Sequence, residues 1–335
     1  MADPTLAVVL AGVIMVALNA YALLGGADFG GGVWDLLASG PRRQRQRDLI
    51  AHAIAPIWEA NHVWLILAVV LLFTCFPAAF ARIAIVLHIP LSLVLVGIVL
   101  RGSAFTFRSY DSRRDAVQRR WGAVFSGASI ITPLLLGTAV GALATGRVRA
   151  PAGSFAAGFI RPWLAPFTIA TGVLALALFA FLAAVYLTVE AGDDRELADD
   201  FRRRAIGAAI AAMMVAGGTL LVARRGAPMM HAGLTSSRWA LPLHAGATLA
   251  AVGTLGALAL RRFRLARIGA AGFVSLVIWG WAVAQFPLIV PPDLSVLNAA
   301  APATTLRFIA LGLVAGAAVL LPSLVYLFRI FKASA

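Results

Sequence analysis

The sequence predicts an all-α polytopic membrane protein of about nine transmembrane helices, arranged as two four-helix bundles plus one peripheral helix. Three observations predict it: an apolar composition, apolar stretches of bilayer length, and a one-sided distribution of arginine. Of the 335 residues, 61% are apolar and 13% are charged, against roughly 45–50% and about 25% in soluble chains. Apolar stretches recur at about 6–27, 50–76, 79–101, 121–144, 162–189, 204–223, 239–260, 265–286 and 306–328, each near the roughly 20 residues that cross a bilayer. Each is expected to be a helix, because a lone strand leaves backbone groups unpaired in hydrocarbon and the alternation of a β-barrel is missing.

Placing the N-terminus outside puts about twenty of the 28 basic residues on the cytoplasmic side. They fall in clusters such as Arg42, Arg43, Arg45 and Arg47, or Arg261, Arg262, Arg264 and Arg267. The net charge of +14 is then the signature of topology, and no nucleic acid is implied. The C-terminus is expected in the cytoplasm. No Lys or Arg precedes the first apolar run, so that run lacks the positive region of a signal peptide and is read as a retained helix. One cysteine, Cys75, excludes an intrachain disulfide and a four-cysteine iron–sulfur site in this chain.

The Gly/Pro/Ala-rich stretch 145–161 is the longest break among the first six spans and divides the chain. Residues 1–150 form a first four-helix bundle, 151–290 a second, and 291–335 an outer loop with the ninth helix. An even number of helices in each half makes the expected repeat parallel, about an axis along the membrane normal. The halves share no evident sequence identity. The loop 287–307 carries Pro291, Pro292 and Pro302 and is too long for a tight connection, so it is expected to pack on the outer surface or on a partner.

Ionisable groups inside a membrane are costly and mark function. The densest set lies in the second span, where His52, Pro56, Trp58, Glu59, Asn61 and His62 fall close together. On one continuous helix, His52 and Glu59 share a stripe and His62 sits one turn beyond Glu59. Pro56 should kink that helix and free a carbonyl for water. A carboxyl at the depth of Glu59 suits proton uptake and release; the plainer role is a neutral hydrogen bond to a neighbouring helix. The first span ends in Gly25-Gly26-Ala27-Asp28-Phe29-Gly30, which lacks the spacing and the preceding strand of a phosphate loop. Its glycines allow close helix approach, and Asp28 reads either as the mouth of a proton path or as a hydrating helix end. Arg101 closes the third span, either snorkelling to the interface or paired with Asp28 or a partner's carboxylate. His88 and His244 are conceivable haem ligands but more plainly packing residues, and His231 falls in a loop. Trp121, Trp163 and Trp239 read as interfacial belt.

These residues resemble subunit II of cytochrome bd-type quinol oxidases. The resemblance rests on Gly26-Ala27-Asp28-Phe29-Gly30, on the run from Ala55 to Leu65 that contains Trp58-Glu59-Ala60-Asn61-His62-Val63-Trp64, and on Arg101 with its basic loop. Tyr186-Leu187, Phe286-Pro287, Asn298-Ala299 and Pro302 match later landmarks. Some members have a second Asp near Gly25 and Asp in place of Glu59. The resemblance implies a complex in a bacterial inner membrane that oxidises quinol and reduces dioxygen to water. This chain would ligate no haem, with haem b and haem d held by subunit I. It would support assembly and a cytoplasmic proton path through Glu59, Asp28, His62, Trp58, Arg101 and His52. Subunit I and membrane lipid are implied partners; a small single-helix accessory subunit and a bound quinone are allowed. A proton-coupled secondary transporter is the alternative that nine helices and a buried carboxyl also suit.

Overall fold

A computed structural model describes residues 3–54, 58–110, 115–149 and 153–332. The first helix, α1 (Pro4–Leu36), starts with Pro4 in its first turn and Asp3 as N-cap, whose carboxylate accepts from the Leu6 N–H at 3.2 Å. It does not stop at the glycines, as the sequence suggested, but runs through them to Leu36. The close approach of neighbouring helices keeps this glycine-rich turn helical. A Cβ at Gly30 would lie 2.0 Å from the Phe179 carbonyl, and one at Gly32 would lie 2.2 Å from the Ser129 hydroxyl.

The second span is two helices, α2 (Arg43–Ile54) and α3 (Trp58–Cys75), inclined at 51°. His52 and Glu59 therefore do not share a stripe of one helix. Pro56 lies outside the described residues, as does the side chain of Trp58. The third span is also displaced: a short α4 (Pro77–Val86) precedes α5 (His88–Tyr110). The membrane-length part is His88–Phe107, so Arg101 sits inside the helix instead of closing it.

Next come α6 (Asp115–Ala144), α7 (Pro166–Glu190), α8 (Arg195–Gly226), the short α9 (Pro228–Ser236), α10 (Ala240–Ala259), α11 (Phe263–Gln285) and α12 (Ala303–Lys332). His231, expected in a loop, is on α9. Eight described helices are long and apolar enough to cross a membrane, or nine if α2 and α3 form one broken span. The loop 287–307 packs on the bundle. Its strands β1 (Leu288–Val290) and β2 (Leu294–Ser295) pair antiparallel, Ala301 N–H donates to the Cys75 carbonyl at 2.8 Å, and Asp293 faces Arg82 at 3.4 Å.

Two apolar cores stack along the bundle. One joins the first half of α1 to α3, α4 and the end of α6, with Val290, Val296 and Leu306. The other joins the second half of α1 to α7, α8 and α11. α1 and α7 are thus central, and α12 is the outlier, with none of its membrane-length window buried. Contacts along α1 fix helix directions: Asp28 meets Asn61 at the start of α3, while Leu10 shares a core with Cys75 at its end. Hence α3 runs antiparallel to α1.

Candidate functional site

Four elements converge around Asp28 in the second half of α1. Asp28 is 5% exposed and its carboxylate accepts from Asn61 Nδ2 of α3 at 2.7 Å. Its backbone carbonyl accepts from Arg101 Nη2 of α5 at 2.9 Å. Arg101 is 2% exposed and lies over the rings of Phe29 and Phe125, at 4.8 and 5.3 Å from their centroids. A guanidinium suits such a slot, since its faces meet rings while its edge donates. The snorkelling alternative is thereby displaced: Arg101 is buried at the junction of α1, α5 and α6.

Tyr21 lies two turns before Asp28 on the same stripe of α1, and its ring meets His62 of α3 edge-on at 5.8 Å. His62 also lies 6.2 Å from the Phe29 ring, so it belongs to the cluster. Among the described residues, the Tyr21 hydroxyl and Asn61 Oδ1 have no protein hydrogen-bond partner although buried. Buried polar atoms in that condition are where ordered water is usually held.

A cleft of about 930 Å³ connects this cluster to the surface. Leu24, Asp28, Ile54 and Asn61 form its inner wall, and Glu190 and Asp193 after α7 stand at its rim beside Arg261, Arg262 and Arg264. The expected order is reversed in burial. Asp28, for which the sequence allows either a mouth or a hydrating helix end, is buried at the inner end, whereas Glu59, expected at depth, is exposed on the first turn of α3. His52 is exposed on α2.

One buried carboxylate escaped the sequence reading. Asp35, 2% exposed at the end of α1, accepts from the Ser126 hydroxyl at 3.2 Å and lies 3.9 Å from Arg47 Nε. The signal was available in the run Gly30-Gly31-Gly32-Val33-Trp34-Asp35, had the helix been carried past its glycines. A polar seam around it ties α2 to α8. Arg42 pairs with Asp200 at 2.7 Å, Gln46 Nε2 donates to Asp200 at 2.9 Å, and Arg204 Nη2 donates to Gln46 Oε1 at 2.7 Å.

His88 and His244 show packing geometry. His88 Nδ1 lies 2.9 Å from the Ile85 carbonyl and its ring meets Phe159, and His244 Nε2 lies 2.8 Å from the Leu234 carbonyl.

The bundle and its buried charge cluster define a multi-pass helical membrane protein. The model of the cytochrome bd terminal oxidase subunit II family matches residues 6–331, and the chain belongs to that family. Cytochrome bd-I ubiquinol oxidase subunit 2 of Escherichia coli (strain K12) is 30% identical over 176 residues, which are 51% of this chain and 45% of that protein. Cytochrome bd ubiquinol oxidase subunit 2 of Bacillus subtilis (strain 168) is 31% identical over 124 residues, 37% of this chain and 36% of that one. The matched stretch thus spans less than half the length of these curated relatives. The fold is that of a chain in the bd oxidase of Geobacillus thermodenitrificans, with a TM-score of 0.78 and 21% identity, over 99% of this chain and 100% of that one.

Proposed function

We propose that this chain is the haem-free second subunit of a membrane complex that oxidises quinol and reduces dioxygen to water, and that it conducts protons from the cytoplasm toward the partner subunit. The observation that carries the proton role is the cleft that ends on the Asp28–Asn61 pair. Asp28 lines the same cleft as Glu190, Asp193 and Arg262, so water entering at that rim would have a route toward the Asp28 carboxylate. Beyond it, Tyr21 and His62 offer the next exchangeable protons along α1 and α3.

Dioxygen reduction consumes protons, and each must come from one side of the membrane if the reaction is to conserve energy. Asp28 would take up a proton from cleft water and pass it on through water held by Asn61 Oδ1 and the Tyr21 hydroxyl. Arg101, buried against the same turn, keeps the local field favourable to a carboxylate and fixes α1 against α5. Glu59 and Trp58 open α3, where exposure of Glu59 suits a partner-facing position that takes over the proton. Haem, when bound in the complex, supplies the oxygen chemistry from subunit I, and quinol is the reductant there. In this reading the apolar outer faces of α3 and α5 meet either lipid or the partner.

The test is purification. The chain co-isolated with its partner should carry haem and catalyse quinol-dependent oxygen uptake, and the chain isolated alone should show no stoichiometric Soret band. Such a band from the lone chain contradicts the assignment.

A further inference from the structure

At the end of the bundle that carries Asp3, a second cavity of about 660 Å³ opens between the start of α7 and the end of α8. Phe167 forms its floor, Leu221 and Val222 its wall, and Arg147, Arg224 and Arg225 its rim. The arginines come from two separate segments, the connection after α6 and the last turn of α8. Basic residues at a helix C-terminus complement its dipole, which accounts for Arg224 and Arg225 but not for Arg147 beside them.

None of the three has an ion pair among the described residues, and the cavity has no acidic lining residue. The described carboxylates at this end of the bundle are Asp3 and Asp293. They lie against Arg307 at 4.0 Å and Arg82 at 3.4 Å. The groove thus holds an uncompensated charge of three beside a wall fit for hydrocarbon, since Leu221 is 76% exposed and Val222 38%. Arginine clusters at the ends of membrane helices sit at headgroup depth, where they recognise phosphate bidentately.

We propose that this groove binds one anionic phospholipid, its phosphodiester held by Arg147, Arg224 and Arg225 and an acyl chain lying along Leu221 and Val222. The inference is independent of the oxidase assignment. The charge selects against a zwitterionic lipid, and the apolar wall selects against a soluble anion. An acidic segment of a partner protein would satisfy the arginines but would leave the hydrocarbon wall without purpose.

The test uses the protein purified with its membrane partners, stripped of lipid in detergent, and titrated with phosphatidylglycerol or phosphatidylcholine while bound lipid is counted by native mass spectrometry. Each arginine near a charged surface adds a factor of about five to anionic-lipid affinity, so the three together add about a hundredfold. The triple variant Arg147→Gln, Arg224→Gln, Arg225→Gln should lose one phosphatidylglycerol site by about that factor, with phosphatidylcholine binding unchanged. Arg238→Gln, at the same end but outside the groove, should bind as wild type does. If the triple glutamine variant cannot be purified, Arg225→Gln alone should weaken the site about fivefold and the triple lysine variant should retain it. Equal phosphatidylglycerol binding in wild type and variants overturns the proposal. So does displacement of the lipid by inorganic phosphate at equal concentration, or cross-linking of a partner protein through position 225.

Discussion

Arg101 and Gly30 show how single side chains decide this site. Arg101 is held by two ring faces and one carbonyl, so Arg101→Lys keeps the charge but loses the planar contacts, each worth up to about 2 kcal/mol when desolvated. The variant should lower the thermal unfolding midpoint of the purified protein, and an unchanged midpoint would show that the rings contribute nothing. Gly30→Ala should cost about 1–3 kcal/mol through overpacking, because its Cβ would meet the Phe179 backbone, which cannot swing aside as a side chain can. Gly12→Ala is the control, since a Cβ there meets nothing within 4 Å. The sequence pointed to Glu59, Asp28, His62, Trp58, Arg101 and His52, because polar groups are rare in these apolar runs; of these, Asp28, Arg101 and His62 fall in the buried cluster, together with Asn61. It could not show which of Asp28 and Glu59 is buried, since that depends on how α3 is turned against α1, a tertiary choice with no local signature.

At the scale of elements, α2 is the departure from expectation. Its sequence is polar, and it leans across the end of the bundle to meet α8 through charged side chains. Asp194 caps α8 by accepting from the Leu197 N–H at 3.2 Å and also pairs with Arg45 of α2. The Leu197 hydrogen bond, with Arg45 next in weight, holds the Asp194 carboxyl below the usual aspartate range. A depressed carboxyl stabilises the fold fully above its unfolded pKa of about 4 and loses that contribution as pH falls through the lower folded value. Protection of the first-turn amides of α8 from hydrogen exchange should therefore fall below about pH 4, whereas Asp194→Ala should show the reduced protection at every pH; wild-type protection unchanged through the acid range would contradict it. The ends of α6, α7, α10 and α11 were legible because hydropathy falls sharply there. The division of 79–101 into α4 and α5 was not, because both pieces are apolar and the break is the single apolar residue Leu87, with His88 already the first residue of α5.

For the whole molecule, the described helices give eight candidate crossings, or nine with α2 and α3 taken as one broken span. The odd number, with the one-sided distribution of arginine, is the basis for expecting the start outside and the end in the cytoplasm. Alkaline phosphatase fused after Ala335 should be inactive, and high activity there would defeat the odd-crossing arrangement. Both stacked cores include α1, and the larger one draws helices from both sides of the 145–161 stretch. The central claim is that protons reach the partner through the cleft that ends at Asp28. It is tested most directly by quinol-driven oxygen uptake, normalised to haem, for the wild-type complex and for Asp28→Asn. The substitution preserves size and can still accept from Asn61, but it removes the exchangeable carboxyl. Loss of a positioned proton-transfer group predicts a fall of about a hundredfold or more in turnover with haem content intact. Glu59→Gln should also reduce turnover, with Glu59→Asp retaining most of it. Wild-type turnover per haem in Asp28→Asn would contradict the account.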